Sequence, residues 1–147
     1  MRLDLSLSLG SVACLAPGGV AAPTPGNELW VQPTFDASTG ITLNGWTISG
    51  GEATAPASAA QMTATALETL TVGSYQVQLD ISANPDGTQI GVTIASGGSA
   101  NFGPATGLQT KTVTVSSVID QLIKVRDSDL GDGGGDKITF LSVKKLS

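Results

Sequence analysis

From Ser74 to Ser82 the chain reads SYQVQLDIS, with Tyr75, Val77, Leu79 and Ile81 alternating with Ser74, Gln76, Gln78 and Asp80. A period of two puts four large apolar side chains on one face of a β-strand and polar groups on the other. Asn84-Pro85-Asp86-Gly87 follows. There proline presets φ, and glycine accepts the positive φ that closes a turn. Thr88–Ser96 then starts a second strand, with Ile90, Val92 and Ile94 on one face. The expectation is a hairpin with one wet side, around which the rest of the chain wraps.

Further strand signals lie on either side. Glu28–Phe35 reads as a strand broken by Pro33, hence an edge or a strand end. Gly45–Gly51, Gln61–Leu67, Thr69–Val72, Lys111–Ser116 and Gln121–Arg126 are the other extended segments, while Pro56 argues for loop or weak strand over Ala53–Ala60. Gly97–Gly107 reads as a long loop with Phe102 at its centre. In Lys137–Leu146, Ile138 and Phe140 occupy one phase and Leu141 and Val143 the other, which predicts a β-bulge or a strand covered on both sides. Charged residues make up only 13% of the 147, too few for charged amphipathic helices. Eight or so short strands spaced by turns predict an all-β, antiparallel sandwich over residues 27–147.

Residues 1–26 read differently. Leu3, Leu5, Leu7 and Leu9 alternate with Arg2, Asp4, Ser6 and Ser8, the pattern of a β-arm. A signal peptide fits less well, because Asp4 interrupts the basic region and no continuous apolar stretch follows. Ala16–Gly26 holds three prolines and three glycines, which disfavour helix and sheet alike and leave an extended tether. Such an arm pairs with a neighbour's exposed sheet edge, with the four leucines as its partner-binding face. A homo-oligomer or a larger assembly is the expectation.

Several chemistries are excluded by inventory. Histidine is absent and Cys14 is the single cysteine, so an internal disulfide, a Cys/His zinc site and a Ser–His–Asp or Cys–His nucleophile system are all out of reach. Residues 1–110 hold seven acidic groups against Arg2 alone, an acidic body that repels phosphate backbones and argues against nucleic acid. No apolar run approaches the roughly 20 residues that span a bilayer. Asp36 with Glu52, or Asp80 with Asp120, are conceivable carboxylate pairs. Glycosidase chemistry also needs one carboxyl with a raised pKa. Nothing in their context suggests burial, so no enzyme is expected.

Three signals in order carry a resemblance, the first made of two stretches. Glu28–Phe35 followed by Gly45-Trp46-Thr47-Ile48-Ser49-Gly50-Gly51, then Tyr75–Ser82, then Ser142-Val143-Lys144 with Leu146, resemble the first, central and last strands of carbohydrate-binding-module-like jelly rolls. The likeness spans residues 27–147. Such modules recur in bacteriophage virion proteins, and the leucine-alternating arm with its tether is similar to that setting. The resemblance implies a structural virion component, such as a capsid-decorating or head-fibre protein. The alternative is a glycan-binding module of a tail fibre or tail tip that attaches the particle to a host surface. One departure is that Thr139–Leu141 carries no charge where many glycan binders place an acidic residue or asparagine facing a calcium or sugar site.

Two candidate sites remain. Asp127, Asp129, Asp132 and Asp136 surround four glycines and could gather the oxygens that calcium prefers, although the spacing is not that of an EF-hand. Asp and Gly also make up ordinary exposed turns, and the plain turn is the first reading, with no cofactor. For glycan contact, Trp30 and Phe102 are the aromatic residues left for a surface once Phe35, Trp46, Tyr75 and Phe140 fill the core.

Overall fold

The computed structural model describes residues 22–58, 60–127 and 134–147. Leu3, Leu5, Leu7, Leu9, Cys14, Asp129 and Asp132 lie outside the described residues. Among the described residues there is no helix, and the strands are β1 (Pro25–Glu28), β2 (Ile41–Thr42), β3 (Thr47–Ser49), β4 (Glu52–Thr54), β5 (Gln61–Thr65), β6 (Gly73–Ala83), β7 (Ile90–Ile94), β8 (Gly98–Phe102), β9 (Gly107–Val115), β10 (Leu122–Asp127) and β11 (Lys137–Leu146). They form two antiparallel sheets, one ordered β3-β4-β11-β6-β9 with β1 also on β11, the other β2-β5-β10-β7-β8. The protein is an all-β sandwich.

The alternation in β6 is realised as expected. Tyr75, Val77, Leu79 and Ile81 are fully buried, and Gln76 and Gln78 lie on the wetter face. Ile90, Val92 and Ile94 of β7 are buried as well. The two strands do not form a hairpin, however. β6 pairs with β11 and β9, whereas β7 pairs with β10 and β8 in the opposite sheet. Both apolar faces point into the same core from opposite sides, and alternation alone cannot tell that from two neighbours in one sheet. The connection 84–89 is therefore an arch across the sandwich, which must bridge sheets packed about 10 Å apart.

β11 binds the first sheet together. Its N-terminal half pairs with β4, its C-terminal half with β1, and its other edge with β6. The phase change read from its sequence is a bulge: Ile138 lies opposite Ile81 and Phe140 opposite Asp80, leaving Thr139 extra. That slip keeps Ile138, Leu141 and Val143 all buried and leaves Phe140 partly exposed, contrary to the expected core position.

Three further expectations fail. Of the strand expected over Glu28–Phe35 only Glu28 lies in a strand, the end of β1. Thr69–Val72 is not a strand. The loop expected over 97–107 contains β8, whose Phe102 is fully buried. β7 and β8 are joined through Ala95 (φ 55°) and Ser96 (φ 51°), the two positive-φ positions of a tight hairpin usually filled by Asn-Gly. Gly97 follows, and a Cβ there would lie 1.6 Å from the Ser117 carbonyl oxygen. The strain at Ala95 and Ser96 is held by the next connection. Ala95 accepts from Ile119 N at 3.0 Å, and Ser96 Oγ donates to Asp120 at 2.6 Å.

The sandwich has two distinguishable ends. At one, Gly73 lies opposite Val115, Lys145 Nζ reaches Thr71 at 2.6 Å, and Ser147 N donates to Thr24 O at 3.2 Å. At the other, Ile81 lies opposite Gly107, Ile90 opposite Asp127, and Lys137 opposite Ala83.

Candidate metal centre

Three chain segments meet at the second end. The β6–β7 arch brings Asp86, β10 ends on Asp127, and Asp136 immediately precedes β11. Local structure holds each in place. Asp86 Oδ1 accepts from Thr88 N at 3.2 Å and closes an Asx-type turn, while Asn84 Nδ2 donates to Thr88 O at 2.9 Å. Asp127 lies in ladder register opposite Ile90. The β4–β11 pairing continues past its strand ends: Ala55 N donates to Asp136 O at 2.8 Å and Gly135 N to Ala55 O at 3.0 Å. Gly134 (φ +63°) passes so close to Pro56 and Ala57 that a Cβ would lie 2.4 Å from the Ala57 nitrogen. Only glycine fits there, and that fit delivers Asp136 to the site.

Carboxylate oxygens of Asp86, Asp127 and Asp136 all lie within 4.8 Å of one another. Asp136 is fully buried, Asp127 is 1% exposed and Asp86 is half-buried. The three converge on one hydroxyl. Thr88 Oγ1 is 2.9 Å from Asp86 Oδ1, 3.1 Å from Asp127 Oδ1 and 3.3 Å from Asp136 Oδ2. A hydroxyl has one proton to donate. It cannot serve three carboxylates. Among the described residues, Asp86 Oδ2, Asp136 Oδ1 and, in the same arch as Asp86, Asn84 Oδ1 are buried with no hydrogen-bond partner.

The electrostatic consequence falls on Asp136. Burial, and then the negative charges of Asp127 and Asp86, push its carboxyl up to about 7 from the usual 3.8; the Thr88 hydrogen bond opposes this and a hydrogen bond shared with Asp86 adds to it. Without a bound cation, the folded state therefore keeps a proton that the unfolded chain has released between about pH 4 and pH 7. Stability should be greatest on the acid side of that window and fall as pH rises through 7. At about 1.4 kcal/mol per pH unit the ceiling is near 4 kcal/mol, and relaxation of the site lowers the realised loss to about 2 kcal/mol. Urea unfolding in EDTA from pH 4 to pH 8 measures it. A flat profile, or one identical in Asp136→Asn, would contradict the buried acid cluster.

Asp127 and Asp136 of the four acids singled out in the sequence thus meet, and Asp86 joins them, while Asp129 and Asp132 lie outside the described residues. Asp86 was legible only as a turn residue. The strand assignments that place its arch between the sheets are what bring it here.

The aromatic candidates are overturned. Trp30 and Phe102 are both 0% exposed and present no ring to a sugar. After Glu28 the chain leaves the ladder and folds Trp30 inward, edge-on to Phe35 with ring centroids 6.4 Å apart. Trp30 Nε1 donates to Gln32 O at 3.1 Å. Phe102 sits at an inward position of β8, with Lys111 Nζ 5.6 Å above its ring. In a chain with six aromatic residues the core claims the bulky ones first.

The carboxylates of the two pairs singled out in the sequence each have local partners. Glu52 is held below its ordinary pKa by Lys137, at 2.8 Å, and Ser82. Asp80 accepts from Thr139 at 3.0 Å, and Asp36 from Thr34. Burial would raise Asp120, but hydrogen bonds from Lys124, Ser96 and Leu122 outweigh it and hold the carboxyl low. Lys124 Nζ lies 2.6 Å from Ser96 Oγ and 2.7 Å from Asp120. Both contacts clamp the strained β7–β8 turn.

Neither a protein-family model nor a curated protein sequence matches this chain.

Proposed function

We propose that the chain is a structural, non-catalytic building block, a β-sandwich body that its N-terminal arm fastens to a larger particle. The setting we infer is a bacteriophage virion, with the protein decorating the capsid or forming part of a head fibre. One observation carries the reading. The tether enters the body beside Ser147, at the end where Leu67, Val72, Val118 and Ile119 are exposed, up to 73% for Ile119. Isolated apolar residues on a surface are ordinary, but four on the loops at one end, beside the root of a leucine-alternating arm, suit a docking end. β1 begins at Pro25, two residues inside the expected tether, so the body is rooted slightly earlier than residue 27. The strand order supports the jelly-roll form: β4-β11-β6-β9 faces β5-β10-β7-β8, and from β4 to β11 every connection but the β7–β8 hairpin crosses between sheets.

The test keeps the body intact. Leu5→Asp with Leu7→Asp in the full chain should remain folded by circular dichroism yet be missing from particles purified on a density gradient, whereas the unaltered chain co-sediments. Incorporation of the double variant at the normal level would overturn the arm's role.

A further inference from the structure

We propose that Asp86, Asp127 and Asp136 form a calcium site that staples the β6–β7 arch to the end of β10 and the start of β11. Two observations beyond the presence of acidic groups point to a ligand. The Asp136 carboxylate is fully buried and its Oδ1 has no partner, while its Oδ2 faces the hydroxyl that Asp86 and Asp127 share. Asn84, an uncharged residue of the same arch, likewise keeps a buried and unbonded Oδ1. Buried polar atoms are almost always satisfied. A cation would complete the carboxylate oxygens that Asp86, Asp127 and Asp136 bring within 4.8 Å of one another.

The donor set selects the ion. All the candidate ligands are oxygens, and hard cations take oxygen. Two oxygens bound to one calcium at about 2.4 Å are at most about 4.8 Å apart. The three carboxylates already meet that limit without rearrangement. Magnesium, with bonds near 2.0–2.1 Å and a strict octahedron, requires a tighter set. Of the two basic residues beside the cluster in sequence, Lys137 is engaged by Glu52 at 2.8 Å, and Arg126 is exposed in β10 between buried Val125 and Asp127. The ion would also act across the fold, because Asp127 ends a strand of one sheet and Asp136 leads into a strand of the other.

The full chain, stripped with EDTA, is melted with and without 1 mM calcium chloride, and with magnesium chloride in parallel. At about a hundredfold excess over Kd, calcium is expected to raise the melting temperature by about 10 °C, and magnesium by less than half of that. Asp136→Asn and Asp86→Asn should each abolish the shift. Because each removes one of the crowded negative charges, neither should melt lower than the wild type in EDTA. That separates loss of the ion from loss of the fold. An unchanged melting temperature in calcium, with no heat of binding by titration calorimetry, overturns the proposal. So does a full shift retained by both variants.

Discussion

Replacing Glu28 with alanine should cost on the order of 4–5 kcal/mol, a large share of the 5–15 kcal/mol that holds a typical domain together. The carboxylate stands where the tether becomes the body. Its Oε1 accepts from Trp30 N at 3.0 Å, Leu29 N at 3.1 Å and Val143 N at 2.8 Å, and its Oε2 accepts from Ser142 Oγ. Leu29 N has a second acceptor in Val143 O, 2.8 Å away, so alanine would strand three donors rather than four. Those three belong to Trp30, Ser142 and Val143, all buried. A buried donor left without a partner costs about 1–3 kcal/mol. Glu28→Gln is the control. Its amide oxygen can still accept from the backbone donors and its NH2 can donate to Ser142, so a loss of about 1–2 kcal/mol is expected. Urea unfolding of the three proteins decides the matter, and a loss under about 1 kcal/mol for alanine would show that Glu28 is not the staple.

Tyr75→Ala should destabilise by about 3–5 kcal/mol, the range for deleting a large buried aromatic side chain. The ring is fully buried at the start of β6. Its hydroxyl donates to Thr71 O at 2.6 Å and accepts from Thr71 N at 3.0 Å, closing the turn that leads into the strand. Thr71 itself is exposed, so water can replace both partners. Tyr75→Phe should therefore cost less than about 1 kcal/mol, most of the loss in alanine being packing. If phenylalanine and alanine were equally damaging, the hydroxyl and not the ring would be the anchor. A loss below about 1 kcal/mol for alanine would place the ring outside the core.

The two variants probe different levels of legibility. Tyr75 announced itself, because a run of alternating large apolar and polar residues has one sensible solution in a β-protein. Glu28 did not. A lone glutamate before Leu-Trp-Val looks like any polar strand residue, and its four donors come from segments more than a hundred positions apart as well as from its own neighbours. β8 was hidden for a local reason. Its residues Gly98-Ser99-Ala100-Asn101-Phe102 carry one large apolar side chain, and its hairpin uses Ala95-Ser96 where sequence habits look for Asn-Gly.

Periodicity by itself determined the fold class, the burial of β6 and β7 and the phase change in β11, which the ladder with β6 resolved as a bulge. Each is encoded within a few consecutive residues, where backbone geometry ties side-chain direction to position. Tertiary structure alone decided which strands share a sheet. Two amphipathic strands bury their faces equally well as neighbours or as opposite walls, and the difference lies in ladders to β9, β10 and β11, formed with residues distant in sequence. That choice turned an expected hairpin into an arch. It carried Asp86 to Asp127 and Asp136, and it left their oxygens facing one another.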